Sequence, residues 1–115
     1  MRVLVCGGRD YTGHDDLFTE LDRLHCEEGP ISVIIHGDQL GADTYAKWWA
    51  TERGVPHAPF KAEWGRYGKS AGPVRNRRMI VEGKPDLVVA FKGGKGTADM
   101  VRQAMRAAIP VQEIE

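Results

Sequence analysis

The stretch that decides the fold is Asp86-Leu87-Val88-Val89-Ala90-Phe91-Lys92-Gly93-Gly94-Lys95-Gly96-Thr97. Residues 86–91 form the apolar run that is typical of a parallel strand buried on both faces. A helical pattern follows the glycines, from Ala98 to Ala108. A strand, a glycine-rich loop and a helix in this order direct free backbone N–H groups at an anion. The sequence therefore predicts a phosphate-binding loop made of Gly93, Gly94, Lys95, Gly96 and Thr97.

Thr97 has a second expected role, because it stands where the N-cap of the last helix is predicted. Its hydroxyl can accept a hydrogen bond from the helix backbone or bind a phosphate oxygen. The alternative for the whole loop is a tight turn from strand to helix that binds no ligand. Two further glycine-rich loops, residues 7–13 and 36–43, favour the binding interpretation.

The rest of the chain alternates between strands and helices in the same way. Strands are predicted at residues 2–6, 31–35, 55–60, 86–91 and 111–114, and the third is an edge strand because it contains Pro56 and Pro59. Helices are predicted in the intervals, and the third of the four starts at Pro73 and ends near Glu82. This alternation predicts an α/β fold, a doubly wound parallel sheet of about five strands with helices on both faces. A length of 115 residues fits a single domain, residues 1–115.

The glycine-rich loops follow strands 1, 2 and 4. In a sheet of order 3-2-1-4-5 these loops meet at the carboxyl edge, where the strand order reverses and ligands bind. Asp10 and Asp43 are the carboxylates considered for ribose contacts or catalysis, against the alternative of turn or cap residues. Other candidate ligand-binding residues in these loops are Gly7, Gly8, Arg9, Tyr11, Gly37 and Gly41.

Residues 61–72 are predicted to be a long loop that opens a local basic cluster. Residues 61–78 contain six basic side chains and one acidic side chain, Glu63. Among them, Arg75 is the candidate for binding a phosphate through two parallel hydrogen bonds. Trp64 and Tyr67 offer surfaces for stacking on a base. The alternative is a solvated basic surface. The cations are Lys61, Arg66, Lys69, Arg75, Arg77 and Arg78.

Composition excludes several classes of protein. Sixteen basic and sixteen acidic residues leave no net charge, which gives no support to a nucleic-acid or membrane partner. No apolar run approaches the ~20 residues of a membrane span, and the N-terminus does not read as a signal peptide, so we expect a cytoplasmic location. Two cysteines do not suggest a disulfide framework, and the four histidines lack metal-ligand spacing, so no metal site is predicted.

Four motifs together resemble the YspA/cpYpsA-related branch of the SLOG superfamily, which includes the Lonely Guy enzymes and the DNA-processing protein A family. In chain order they are Gly7-Gly8-Arg9-Asp10-Tyr11, His36-Gly37 through Gly41-Ala42-Asp43, Gly72-Pro73-Val74-Arg75-Asn76 with Met79, and Gly93 through Met100. The resemblance implies a Rossmann-like fold that binds a nucleotide or a nucleotide-derived signal. It adds Asn76 to the ligand-binding candidates, and it matches Arg75 to the phosphate-binding arginine of the Lonely Guy enzymes.

The Lonely Guy motif reads Pro-Gly-Gly-x-Gly-Thr-x-x-Glu, and this chain departs from it at two positions. Lys92 stands at the proline and Met100 at the glutamate that is expected to act on the ribose. The glycines and Thr97 match, so the resemblance carries phosphate binding. If the chain is an enzyme, Asp10, Asp43 or Asp99 must replace the glutamate.

Three functions are therefore open. The leading one is a sensor or processor of a nucleotide-type ligand, with no cofactor. The second is a nucleoside-monophosphate phosphoribohydrolase, an N-glycosidase with Asp43 and Asp10 as catalytic candidates. The third is a nucleic-acid-binding module, motivated by the basic and aromatic residues 61–78 but not favoured by the neutral net charge. A homo-oligomer is expected by analogy with related superfamily enzymes, which pair through helices. Trp48 and Trp49 are adjacent on a predicted helix and face directions about 100° apart, which favours exposure of one of them. The alternative is that Trp48 packs on a neighbouring element of the same chain.

Overall fold

Five parallel strands form one sheet in the computed structural model, which describes residues 1–115. The strands are β1 (Arg2–Cys6), β2 (Val33–His36), β3 (His57–Pro59), β4 (Leu87–Ala90) and β5 (Val111–Glu113). Their order in the sheet is β3-β2-β1-β4-β5, and every neighbouring pair is parallel. The predicted fold class, strand order and edge position of the third strand are confirmed.

Helices cover both faces of the sheet. Successive side chains of a strand point to opposite faces, so apolar residues along each strand contribute in turn to two separate cores. The helices are α1 (His14–Glu27), α2 (Ala42–Arg53), α3 (Trp64–Tyr67), α4 (Ala71–Val81) and α5 (Lys95–Arg106). Val3 and Val5 belong to a cluster of 15 buried residues under α1 and α2, whereas Leu4 and Cys6 belong to a cluster of eight under α4 and α5. None of the helices is long and apolar enough to cross a membrane.

The prediction of one long loop at residues 61–72 is wrong. Trp64–Tyr67 forms the single helical turn α3, Gly68–Ser70 continues as a 3-10 turn, and α4 begins at Ala71 rather than at Pro73. Pro73 is tolerated there because the N–H groups of a first helical turn have no carbonyl partner within the helix.

The loop between β2 and α2 approaches the loop after β1 closely at Gly41. This residue has a φ of 75°, in the left-handed region that favours glycine. A Cβ atom at Gly41 would also clash with the backbone carbonyl of Gly8 and lie 2.6 Å from that of Arg9. Gly41 therefore allows two of the three glycine-rich loops to touch.

Candidate functional site

Three loops meet at the peptide groups of Gly8. Its N–H donates to the carbonyl of Lys92 in the loop after β4, over 2.9 Å. Its own carbonyl accepts from the N–H of Ala42 at the start of α2, over 3.3 Å, and from that of Tyr11, over 3.2 Å. The loops after β1, β2 and β4 therefore converge at the carboxyl edge of the sheet, as the predicted strand order requires.

A cavity of about 320 Å³, here called the first cavity, opens beside this junction. The loop after β1, one face of α4 and the first turn of α5 line it, with contributions from α2 and α3. Twelve of the sixteen predicted site residues lie on its surface. They are Gly7, Gly8, Arg9, Asp10, Asp43, Trp64, Arg75, Asn76, Gly94, Lys95, Gly96 and Thr97.

The N-terminus of α5 faces this cavity with free donors. The helix begins at Lys95, and its N-cap is Gly94, which makes no side-chain capping bond. The N–H groups of Lys95, Gly96 and Thr97 therefore have no carbonyl partner within the helix. The prediction that Thr97 is the N-cap is wrong, because it is the third helical residue. A Cβ atom added at Gly94 or Gly96 would meet nothing within 4 Å.

Arg75 lies on α4 and is only 6% exposed. Its Nη1 donates to the carbonyl of Gly37, over 2.8 Å, and its Nε to the side-chain oxygen of Asn76, over 3.0 Å. Both acceptors are neutral, and no carboxylate forms an ion pair with this guanidinium. Burial lowers the pKa of Arg75, but a guanidinium stays cationic at neutral pH. Arg75 thus brings a positive charge into the cavity, with the Asp43 carboxyl nearby but not in ion-pair contact with it.

Asn76 connects this arginine to α5. Its amide nitrogen donates to the carbonyl of Gly96, over 3.2 Å, and to Asp99, over 3.0 Å. Asp99 also accepts from Gln103, over 2.8 Å, so its carboxylate is engaged in holding α4 against α5. Met100, at the position of the Lonely Guy glutamate, is fully buried in the core below. Neither Asp99 nor Met100 lines the first cavity.

Asp43 is the buried carboxyl group of the site. It is 6% exposed, and one oxygen accepts a hydrogen bond from the N–H of Gly37, over 3.1 Å. Burial raises its pKa to about 7, and the nearby charge of Arg75 limits this rise. Asp10 lies exposed at the rim. The Cys6 thiol at the floor is no nucleophile at neutral pH, because burial raises its pKa to about 12.

A second cavity, of about 470 Å³, adjoins the first. The two share Arg9, Gln39, Asp43 and Trp64, so Asp43 lies at their junction. The second cavity also exposes side chains that sequence reasoning did not assign to the site: Asp38, Leu40, Lys47, Trp48 and Lys61. Lys47 and Trp48 lie within α2, away from any glycine motif, so no local pattern indicated them.

His36 borders the second cavity but is held by structural bonds. Its Nδ1 accepts from the N–H of Asp38, over 3.0 Å, and its Nε2 lies 2.9 Å from Nδ1 of His57 on β3. Because Nδ1 accepts, the neutral ring carries its proton on Nε2 and donates to His57. Burial lowers the pKa of His36 to about 4. The ring therefore links the end of β2 to the edge strand.

Four predicted site residues lie outside the first cavity. Tyr11 packs against Phe91, with ring centroids 5.4 Å apart, and borders a separate depression. Gly37 lines the second cavity, and Gly41 and Gly93 serve loop contacts. The basic cluster is also divided, because Arg66, Lys69, Arg77 and Arg78 border neither cavity. The buried residues of α4 are 71, 72, 75, 76 and 79, which recur at helical spacing. This spacing places Arg75 on the buried face of the helix and leaves Arg77 and Arg78 off it.

The sequence matches one family model over its first 67 residues and one phage protein over nearly its whole length. The model of the YspA, cpYpsA-related SLOG family (YAcAr) matches residues 1–67, which include the first two motifs. The gene 61 protein of Mycobacterium phage D29 is 36% identical over 118 residues, covering 96% of this chain and 93% of that protein.

A solved structure has the same fold. The DNA processing protein A (DprA) of Streptococcus pneumoniae superposes with a TM-score of 0.78 over 99% of this chain, at 20% sequence identity. This chain covers 50% of that one, so it corresponds to half of the larger protein.

Proposed function

Because the chain belongs to the YspA, cpYpsA-related SLOG family, we propose that its first cavity binds a nucleotide or nucleotide-derived ligand, as a sensor or processor of that ligand. The phosphate lies at the N-terminus of α5, where Lys95, Gly96 and Thr97 offer free N–H groups. The ribose lies near Asp43, and the base stacks on Trp64, which is 49% exposed. Tyr11 is left out, because its ring packs on Phe91 instead.

The observation that carries this proposal is that the guanidinium of Arg75 is buried and donates its hydrogen bonds only to neutral acceptors. A buried cation is costly unless it is paired, yet both of its hydrogen bonds go to neutral acceptors. The same cavity exposes the positive end of a helix, which adds to the electrostatic demand for an anion. A phosphate would bring a full negative charge to Arg75, which only the partly ionised Asp43 carboxyl offers nearby, and would accept bidentate hydrogen bonds from the guanidinium.

Replacing Gly94 with valine tests the proposal. A Cβ atom at Gly94 meets no protein atom within 4 Å, so we expect the valine side chain to occupy the cavity rather than to disturb the fold. We expect Gly94→Val to weaken binding of nucleoside monophosphates at least about a hundredfold, as followed by saturation-transfer proton NMR. Gly65→Val is the matched control, because that position is also open but lines neither cavity. Unchanged affinity in a folded Gly94→Val protein would refute the phosphate assignment.

A second candidate, the phosphoribohydrolase, is favoured by one feature of Asp43. Its pKa of about 7 suits a group that must exchange a proton at neutral pH. In the reaction water adds to the anomeric carbon, the bond from that carbon to the base breaks, and the base leaves with a proton. Asp43 accepts the proton of the attacking water, so turnover rises as the pH increases through about 7.

The replacement Asp43→Asn separates the two candidates. If the protein is a phosphoribohydrolase, free base and the loss of the anomeric doublet appear by proton NMR with the native chain and not with the variant. Both proteins should still bind the intact nucleotide, because Arg75 and α5 are unchanged. A nucleotide that binds the native chain and stays intact over hours identifies a sensor.

A further inference from the structure

We propose that the second cavity binds a second nucleoside that is attached through the ribose of the first, so that the ligand is a 5′-phosphorylated dinucleotide with a 3′–5′ linkage. This rests on the proposed function, in which the 5′-phosphate lies at α5 and the ribose near Asp43. The first cavity then takes the 5′-nucleotide. The second cavity takes the linking phosphate and the next base.

The arrangement of the two cavities gives the direction of this extension. The α5 residues Lys95, Gly96 and Thr97 line only the first cavity, so the 5′-phosphate lies away from the second. The residues at the junction are Asp43 and Trp64, next to the ribose and the base, with Arg9 and Gln39. A ligand that continues into the second cavity therefore leaves the first nucleotide from a ribose hydroxyl and not from its 5′-phosphate.

Exposed apolar side chains concentrate at the second cavity. The chain exposes six large apolar side chains, and three of them, Leu40, Trp48 and Trp64, line this one cavity. Trp48 is 50% exposed, whereas the adjacent Trp49 is fully buried. Exposed aromatic rings beside a basic groove are the surfaces on which nucleic-acid bases stack. Trp64 is thus placed for the first base and Trp48 for the second.

Cations in the same cavity suit the linking phosphate. Arg9 and Lys47 form no ion pair, and Lys61 has only a 3.8 Å contact with Asp38. The guanidinium of Arg9 lies 5.8 Å from the centre of the Trp64 ring, and both residues line both cavities. Arg9, which lines both cavities, therefore supplies positive charge where the linking phosphate would lie.

The volumes agree with a ligand of two parts. Small-molecule sites typically enclose about 300–1,000 Å³. The first cavity, at about 320 Å³, and the second, at about 470 Å³, each reach this range. One nucleoside monophosphate in the first cavity would leave the second empty, with its tryptophan and lysines in water.

The test compares three adenosine ligands by calorimetric titration of the full chain. They are adenosine 5′-monophosphate, the 5′-phosphorylated 3′–5′ dinucleotide pApA, and diadenosine pyrophosphate, which joins the same two nucleosides through their 5′-phosphates. The uridine monophosphate and dinucleotide are run beside them, because the base is not assigned. We expect the 3′–5′ dinucleotide to bind roughly ten- to a hundredfold more tightly than its mononucleotide, as stacking of one further base provides.

Substitutions of two exposed residues of α2 test whether the second cavity provides the additional affinity for the dinucleotide. Lys47→Ala and Trp48→Ala should each reduce dinucleotide affinity toward that of the mononucleotide and leave mononucleotide affinity unchanged. Lys69→Ala is the charge-matched control, since Lys69 is exposed and lines neither cavity. Gly94→Val should abolish binding of both ligands, because both place a 5′-phosphate at α5.

Three results would overturn the inference. Equal affinities for mononucleotide and dinucleotide would remove the second subsite while leaving the proposed function intact. A gain with diadenosine pyrophosphate that equals the gain with pApA would show that the ligand extends through its 5′-phosphate. Binding of none of these ligands would overturn the inference together with the proposed function.

Discussion

The inner wall of the site, Asp43, Arg75 and Asn76, and the outer segment, residues 61–70, carry similar kinds of residue but are held differently. The three inner residues are at most 6% exposed, and hydrogen bonds to backbone or side chains fix each of them. Nearly all of the outer residues are exposed. The ion pairs of the outer segment are loose, with Arg66 3.8 Å from Glu63 and Lys61 3.8 Å from Asp38.

For the proposed ligand, this difference predicts which of the two regions would supply most of the binding free energy. A buried, oriented cation has already lost its water and its freedom of movement, so a ligand gains most of the electrostatic interaction. An exposed lysine or arginine must be ordered and dehydrated when the ligand binds. Similar side chains in the two regions are therefore expected to have unequal effects.

The largest expected effect concerns the pH dependence of stability at Asp43. Its pKa is about 7 in the folded chain and ~3.9 in the unfolded chain, so between these values the folded state holds a proton that the unfolded state has lost. The free energy of unfolding should therefore fall as pH rises from about 4 to 7, by up to about 4 kcal/mol. Asp43→Asn should lack this decrease, as measured by urea denaturation at pH 5 and pH 8.

His36 provides a check on this measurement. Its lowered pKa gives the opposite slope, with stability rising between about pH 4 and 6.5, in both the native chain and the variant. The difference between the two proteins therefore isolates Asp43. Parallel pH profiles for native chain and variant would show that the carboxylate carries no burial penalty.

The next effect concerns ligand affinity at Arg75. Arg75→Met keeps an unbranched side chain but removes the charge, and a hydrogen bond to a charged group contributes about 1.5–3 kcal/mol. We expect nucleotide affinity to fall roughly ten- to a hundredfold by calorimetric titration. Arg77→Met, two residues along the same helix, changes an exposed arginine outside both cavities and should alter affinity less than about twofold. Similar losses in the two variants would contradict the contrast between wall and surface.

The smallest effect belongs to the outer segment itself. Arg66 is exposed, with a contact to Glu63 and a ring contact 5.1 Å from the centre of Tyr67. Arg66→Ala should change the unfolding free energy by less than about 0.5 kcal/mol and leave nucleotide affinity unchanged. A steep, salt-dependent loss of oligonucleotide binding in this variant would instead identify the outer segment as a nucleic-acid surface.

The sheet and the meeting of its glycine-rich loops at one edge were predictable, because a buried strand followed by a glycine loop is a local pattern. Residues 86–97 contain such a unit, and the loops after β1 and β2 repeat it. The start of α5 was predicted three residues late, because glycines rarely occupy the first turn of a helix and Gly96 does so here. Helix α3 was missed for a related reason. It buries none of its residues, so no apolar periodicity marks it.

The second cavity was not predictable from local patterns. Lys47 and Trp48 lie on the middle of α2, Lys61 comes from the connection after β3, and Trp64 comes from α3. Their proximity depends on how the outer segment packs over the sheet edge. The distinction between Arg75 and Arg77 was, in contrast, present in the helical spacing of α4, because each residue turns the side chain by about 100°.

The junction at Gly8 also limits how the chain can diversify. Three loops are tied to the two peptide groups of one residue, so an insertion in any of them moves the other two. Length changes should therefore accumulate elsewhere, in the outer segment between Lys61 and Ser70, which no such bonds tie to Gly8. Related sequences can therefore change residues 61–70 in length while the three loops joined at Gly8, which include the proposed phosphate loop, keep theirs.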